Sequence, residues 1–272
     1  MNLRKRALSA GWYPENRAKM EDFLKDATKN KLRGKAEACV TPHAGWYFSG
    51  SLSALSVHAL KPAADTVIII GGHLPGTAPA LFAMEDYFST PIKNLESDQS
   101  LRDALIKEFD GRSDDYADNS VEVILPMAAY FYPSSKIIWM RFPSRIESYE
   151  MGKKILSISQ NLEKKVVVIA STDLTHYGSQ YHFMPQGPGA IDWVKNVNDA
   201  SFIVSVAEGN AEAVLQKAMN NRAACSAGAV LGAMGYAHAL GIQNAKIAGY
   251  HTSADIELAE SFVGYASLYW ER

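Results

Sequence analysis

Three histidines stand directly after apolar runs: His43 in Thr41-Pro42-His43-Ala44-Gly45, His73 in Gly71-Gly72-His73, and His176 in Ser171-Thr172-Asp173-Leu174-Thr175-His176. Imidazole is the commonest transition-metal ligand and the usual acid–base group near neutral pH. A mixed use suits the set best, with two rings as ligands and one as a base. A metal then needs a third donor. Cys225, in Arg222-Ala223-Ala224-Cys225-Ser226-Ala227-Gly228, precedes a long apolar helical pattern. A helix N-terminus favours the thiolate that metals meet. The plainer alternative for Cys225 is a small buried core residue, as free cysteines commonly are. Cys39 lies inside a strand pattern, where that alternative is stronger.

These residues need a scaffold that brings strand ends together. Apolar strands are expected at 36–41, 66–72, 136–142 and 166–170, with two more at 245–250 and 261–269. Helical periodicity opens after Pro14-Glu15-Asn16, where Met20, Phe23, Leu24 and Ala27 share one face. Further helices are expected at 51–60, 100–109, 121–131, 147–162, 191–207, 211–219 and 227–240. Largely apolar strands interleaved with amphipathic helices predict an α/β fold: a mostly parallel or mixed central sheet, covered by helices on both faces. In such sheets ligands bind beyond the carboxyl ends of the strands, which is where the three histidines fall. The chain shows no repeat and no linker, so residues 1–272 are expected to form a single domain. The stretch 178–189 is an active-site loop candidate, and His182 within it is expected to face the pocket. His58 and His238 fall on helical patterns, and His251 after a strand is a weaker candidate.

Composition narrows the function classes. The chain has 272 residues, with 27 basic and 29 acidic side chains. That balance argues against a broad nucleic-acid footprint. Two cysteines are too few for a secreted disulfide framework and suggest a reducing, cytoplasmic setting. The basic start lacks a long apolar stretch behind it, so neither export nor membrane insertion is expected. No Gly-x-Ser-x-Gly elbow surrounds Ser171, which weakens a serine-hydrolase reading of Asp173 and His176. Walker A and Gly-x-Gly-x-x-Gly patterns are absent, which disfavours nucleotide cofactors, and neither cysteine has a CxxC partner for a zinc knuckle.

Taken in order, Gly11-Trp12-Tyr13-Pro14, Thr41-Pro42-His43-Ala44-Gly45-Trp46, Gly72-His73, Ser120-Val121-Glu122, Ser171-Thr172-Asp173-Leu174-Thr175-His176 and Cys225 resemble the Memo family. That family, also called AmmeMemoRadiSam system protein B, is similar in fold to the class III extradiol dioxygenases. The resemblance implies a mononuclear site with His43, His73 and Cys225 as ligands. The dioxygenase relatives carry a carboxylate as third ligand, in a two-His-one-carboxylate iron centre. It implies one first-row transition metal, Fe(II) foremost, with copper or zinc as alternatives favoured by the softer thiolate. His176 lies where the relatives carry a base, Asp173 would orient it, and Glu122 matches a family acidic position. Trp12 and Trp46 would wall the pocket. Where the family commonly has a histidine before Ser-x-Glu, this chain has Asn119. The expected activity is a dioxygenase-like oxidoreductase acting on a small molecule. Two alternatives are a metal- or peptide-binding protein without turnover, and a metallohydrolase using Glu122 or His176 as base.

Overall fold

The computed structural model describes residues 2–31 and 34–272. In chain order its first half holds β1 (Leu3–Arg4), α1 (Arg17–Ala27), β2 (Ala38–Thr41), α2 (Trp46–Ala59), β3 (Thr66–Leu74), β4 (Leu81–Phe82), β5 (Tyr87–Phe88), β6 (Leu95–Glu96), α3 (Gln99–Phe109), β7 (Arg112–Ser113), α4 (Asn119–Glu122) and α5 (Leu125–Phe131). The second half holds β8 (Lys136–Pro143), α6 (Glu147–Asn161), β9 (Val166–Ser171), β10 (His176–Tyr177), α7 (Ile191–Trp193), α8 (Ala200–Ala207), α9 (Ala211–Asn221), α10 (Ala227–Ala239), β11 (Lys246–Thr252) and β12 (Phe262–Trp270).

The main sheet has nine strands in the order β10-β12-β2-β9-β3-β8-β4-β7, with β11 paired to β12. Its centre, β2-β9-β3-β8, is parallel, and β12 runs antiparallel beside β2. The expected mixed α/β sheet covered on both faces is therefore what the chain forms. Strand side chains alternate between two cores, as period-two geometry requires. Ile68, Ile70, Ile138, Met140, Val168 and Ala170 pack on the side of α6, α9 and α10. Val67, Ile69, Ile137, Trp139, Val167 and Ile169 pack on the side of α1, α2 and α5. Cys39 lies fully buried in that second core, where burial pushes its thiol pKa up. It is a packing residue.

The long elements match the hydrophobic patterning closely, and the differences have local causes. The Asn16 side chain caps α1 by accepting from the Ala18 amide at 2.9 Å. The expected helix over 121–131 is two, because Pro126 lacks an N–H and is tolerated only in the first turn of α5. The helix expected over 191–207 is interrupted by a π-helical turn, Val194–Asp199. Among the described residues no helix is long and apolar enough to cross a membrane.

Candidate metal centre and its cavity

His43 lies two residues beyond β2 and is 1% exposed. Its backbone N–H donates to Asp173 Oδ1 at 2.7 Å, and its Nδ1 lies 2.7 Å from Ser171 Oγ at the end of β9. Nε2 is thereby turned toward Cys225, whose Sγ is 3.3 Å away. The parallel register of β2 and β9, which pairs Thr41 with Ser171, brings these two strand exits together.

His73 ends β3 in a different way. Its backbone adopts φ +60°, which a non-glycine residue holds only when its surroundings require it. Gly72 lets the chain pass so close to the loop before α10 that an added Cβ would lie 2.2 Å from the Ser226 side chain. Gly71 passes Ser120 equally closely, at 2.3 Å. This double close approach carries His73 to both Cys225 and the loop around Asp118. The His73 Nδ1–H donates to Asp118 Oδ2 at 3.1 Å, which leaves Nε2 as the ring atom for Cys225 or a metal. The His43 and His73 rings meet edge to face, with centroids 4.8 Å apart.

Cys225 is placed by α10. That helix is a run of small residues buried against α6, where a Cβ on Gly152 would lie 2.0 Å from the Gly232 carbonyl oxygen. The Cys225 amide donates to the Asp173 carbonyl at 3.2 Å. The thiol experiences opposing effects. Burial opposes ionisation, but His43 and His73 outweigh it and hold the group well below its usual pKa. For His73 burial acts against protonation, and the Asp118 and Cys225 hydrogen bonds outweigh it, raising the ring to about 10.

The ligand atoms of His43, His73 and Cys225 lie within 4.8 Å of one another. Metal–donor bonds of roughly 2.0–2.3 Å set two donors at most about 4.6 Å apart, so a small side-chain adjustment closes the set on one ion. Two imidazole nitrogens and a thiolate fit a transition metal, and three protein donors leave a coordination position open.

His43, His73 and Asp173 line a cavity of about 800 Å³ walled by Trp12, Tyr47, Tyr181 and others. A smaller cavity of about 370 Å³ reaches Cys225 from the other side and shares His73, His176 and Tyr181 with the first. His176 therefore faces both. Its Nδ1–H donates to the Leu174 carbonyl at 3.0 Å, so in the neutral ring Nε2 is the proton-accepting atom. Asp173 is buried at the cavity floor, and burial raises its pKa against the attraction of His43.

Three expected site residues lie elsewhere. Glu122 is 3% exposed and is not among the residues lining either cavity. Its carboxylate accepts from the Ala7 and Leu8 amides at 3.0 Å and from the Tyr13 hydroxyl at 3.2 Å. It thus holds the N-terminal segment whose residues Ser9 to Trp12 wall the cavity. Trp46 is core: its indole N–H donates to the Val123 carbonyl at 3.1 Å, and the cavity wall is formed by its neighbours Tyr47 and Phe48. His182 is exposed beyond the turn Ser179–Tyr181, and Gln180 and Tyr181 line the cavity in its place. Trp12 lines the cavity as expected.

Residues not anticipated from sequence complete the support. Arg141 grips Asp114 through Nε at 2.8 Å and Nη2 at 2.7 Å, and donates Nη1–H to Asp118 at 2.9 Å. Burial opposes the Asp118 charge, but His73, Ser120 and Arg141 outweigh it and lower its pKa to about 2. Asn119 donates its side-chain N–H to the His43 carbonyl at 3.1 Å. Asp199, in the π-helical turn, accepts the Thr175 amide at 3.1 Å and the Tyr250 hydroxyl at 2.8 Å, and also bonds the Thr175 hydroxyl. Desolvation raises it to about 6. Its position beside a helical irregularity, a feature frequent at functional sites, is the only sequence-distant hint, and periodicity cannot reveal it.

The sequence profile of the Memo-like protein family matches residues 4–269. The chain belongs to the Memo family. A MEMO1 family protein of Archaeoglobus fulgidus is 28% identical over 271 residues, covering 98% of each chain. A second, from Methanopyrus kandleri, is 28% identical over 244 residues, covering 86% of this chain and 82% of the relative. Among solved structures, an uncharacterized protein of Escherichia coli K12 superposes with a TM-score of 0.55 at 12% identity, over 86% of this chain and 99% of that one. That likeness concerns the fold alone. Within the Memo-family chain, the residues carrying the resemblance, His43, His73 and Cys225, are also the ones that converge in space.

Proposed function

We propose that this Memo-family chain is a metal-dependent oxidoreductase of the dioxygenase type, with a mononuclear centre held by His43, His73 and Cys225. The observation that carries the reading is the convergence of three donor atoms from three separate strand and helix ends, within 4.8 Å, beside a cavity large enough for a small organic molecule, which His43 and His73 line while Cys225 lines the adjoining smaller one. The expected ion is one first-row transition metal, Fe(II) foremost, with copper or zinc as competitors for the thiolate-containing set. When bound, such an ion supplies an electrophilic, redox-capable centre with an open position.

The chain's own groups supply the rest. Ser171 and Asp118 fix the ring orientations of His43 and His73. Asp173 holds the His43 backbone and sets a carboxyl group at the cavity floor. His176 presents Nε2 to both cavities, in position to take a proton from a substrate hydroxyl. The N-terminal segment pinned by Glu122 covers one wall and restricts water.

Metal analysis after anaerobic purification tests the centre. About one first-row metal per chain is expected for the wild type, and substantially less for Cys225→Ser. A wild-type chain that retains none, even after reconstitution with Fe(II), Cu and Zn, overturns the proposal. Oxygen uptake by the Fe(II)-loaded protein over a catechol panel tests the activity, and His176→Gln is expected to keep metal while losing uptake.

A further inference from the structure

Above its imidazole floor, the larger cavity has a one-sided charge. Its lining includes two carboxyl groups, Asp173 and Glu257, and no lysine or arginine among the described residues. Arg222 lines only the smaller cavity, and its guanidinium is committed to the Tyr181 and His182 carbonyls at 3.1 and 3.2 Å and to the Phe183 ring. The imidazoles that could answer an anion, His43 and His73, lie at the floor, so a substrate carboxylate or phosphate placed away from that floor would meet no charged partner.

The two carboxyl groups lie at opposite depths. Asp173 is buried at the floor beside His43, whereas Glu257 is exposed, on the loop between β11 and β12. The Glu257 amide donates to the Ser253 carbonyl at 2.9 Å, while its carboxylate makes no hydrogen bond or ion pair with another described residue. Aromatic faces stand along the same cavity: Trp12, Tyr47 and Tyr181. Tyr47 is 65% exposed, an unusual placement for a large ring with no partner apart from its edge contact to Phe48. Aromatic faces with an unpaired carboxylate at a cavity mouth are the chemistry that holds an organic cation, through ring quadrupole and Coulomb attraction together.

We infer that the site takes a small aromatic molecule carrying a protonated amine, with its ring directed to the His43/His73 floor and its ammonium group held at the mouth by Glu257 and the surrounding aromatic rings. The inference deepens the proposed function, on which it rests for the direction in which the ring points. It sets aside anionic aromatic acids as substrates, because the wall above the imidazole floor holds no lysine or arginine to receive them.

Three probes of nearly equal shape test it: tyramine, its neutral alcohol counterpart tyrosol, and the anion 4-hydroxyphenylacetate. Their dissociation constants are measured by calorimetry on the full chain, metal-free and zinc-loaded, at constant ionic strength. Tyramine is expected to bind tightest and the acid weakest, with roughly a tenfold span in the metal-free protein, because partly exposed charge contacts are modest. Glu257→Gln, at an exposed loop position, is expected to bring tyramine to within about twofold of tyrosol, and circular dichroism checks that the variant is folded. Equal or tighter binding of the acid to the metal-free protein overturns the inference. So does binding of none of the three, or a preference unchanged in Glu257→Gln. Metal content measured on the same preparations separates the two ideas. Stoichiometric metal without amine preference sinks only this inference, and amine preference without metal sinks only the metal-dependent function.

Discussion

Carboxyl groups support the site from two sides, and the two sides hold them by opposite means. Around the exits of β2 and β9, Asp173 and Asp199 are buried among hydroxyl and amide donors with no guanidinium, and burial raises both pKa values, that of Asp199 to about 6. Around the exit of β3, Asp118 is gripped by Arg141, Ser120 and His73 and is lowered to about 2. One side holds carboxyl groups that burial pushes up, Asp199 to about 6. The other keeps a permanent anion. Environments that push like groups apart in this way mark a division of labour. Under the proposed function, the β3 side would orient a metal ligand, and the β2/β9 side, which also carries His176, would handle protons.

The two histidine ligands inherit that contrast, and their replacement should show the largest effects. Removing the buried His43 ring leaves Ser171 without its partner and Asp173 without its nearest compensating group, so His43→Ala is expected to cost about 3 kcal/mol or more of stability in urea unfolding. His73 holds a left-handed backbone that glycine adopts freely, and Asp118 keeps Arg141 and Ser120 without it. His73→Gly is therefore expected to change stability by less than about 1 kcal/mol. Both variants should lose metal. Equal stability losses would break the contrast at its root.

The next largest effect is on pH dependence. Folded Asp199 sits near 6, above the roughly 3.9 of an unfolded aspartate, so between these values the folded state binds more protons. Its contribution is fully favourable below about pH 4 and is lost as pH rises through 6, a change approaching about 3 kcal/mol. Asp118 works in reverse, contributing above about pH 4 and losing that contribution as pH falls through 2. Asp199→Asn should remove the fall between pH 4 and 6 in thermal unfolding scans. A slope identical to the wild type's would place the titration elsewhere.

Smaller again is the orienting effect of Asp118 on His73. Losing the carboxylate behind a ligating imidazole typically weakens metal affinity about 10–100-fold. Competition with a chromophoric chelator should find that loss in Asp118→Asn, while the tyramine preference of the cavity stays unchanged. A loss below about twofold would make the Arg141–Asp118 pair a fold element only.

The site's floor was legible in the sequence, and of its walls only Trp12 and the 178–189 loop were, for a physical reason. Buried parallel strands announce themselves as β-branched runs, and the residues just past them must lie at one sheet edge, so His43, His73, Asp173 and His176 could be grouped from patterning alone. Cys225, before a small, apolar helix, was open to either a ligand or a core reading by position, and the family resemblance marked it as a ligand. The walls come from segments without periodicity: residues 9–12, 180–181 and 253–261 reach the cavity through long-range contacts that no local pattern encodes. Neighbouring positions then decide everything. Trp46 and Tyr47 are adjacent on α2, yet one turns into the core and the other into the cavity.

Glu122 carries that lesson to a measurable end, with the smallest expected effect. Its carboxylate accepts two partly buried backbone amides and a buried tyrosine hydroxyl from the N-terminal segment, which would otherwise lose their protein partner. Glutamine keeps one accepting oxygen and replaces the other with a donor that faces an amide. Glu122→Gln is therefore expected to lower stability by about 1–2 kcal/mol and to speed proteolytic cleavage within residues 5–12, with metal content unchanged. A base acting on substrate would behave in the opposite way. Its replacement would leave stability and cleavage alone and abolish turnover, and that result would return Glu122 from the wall of the site to its chemistry.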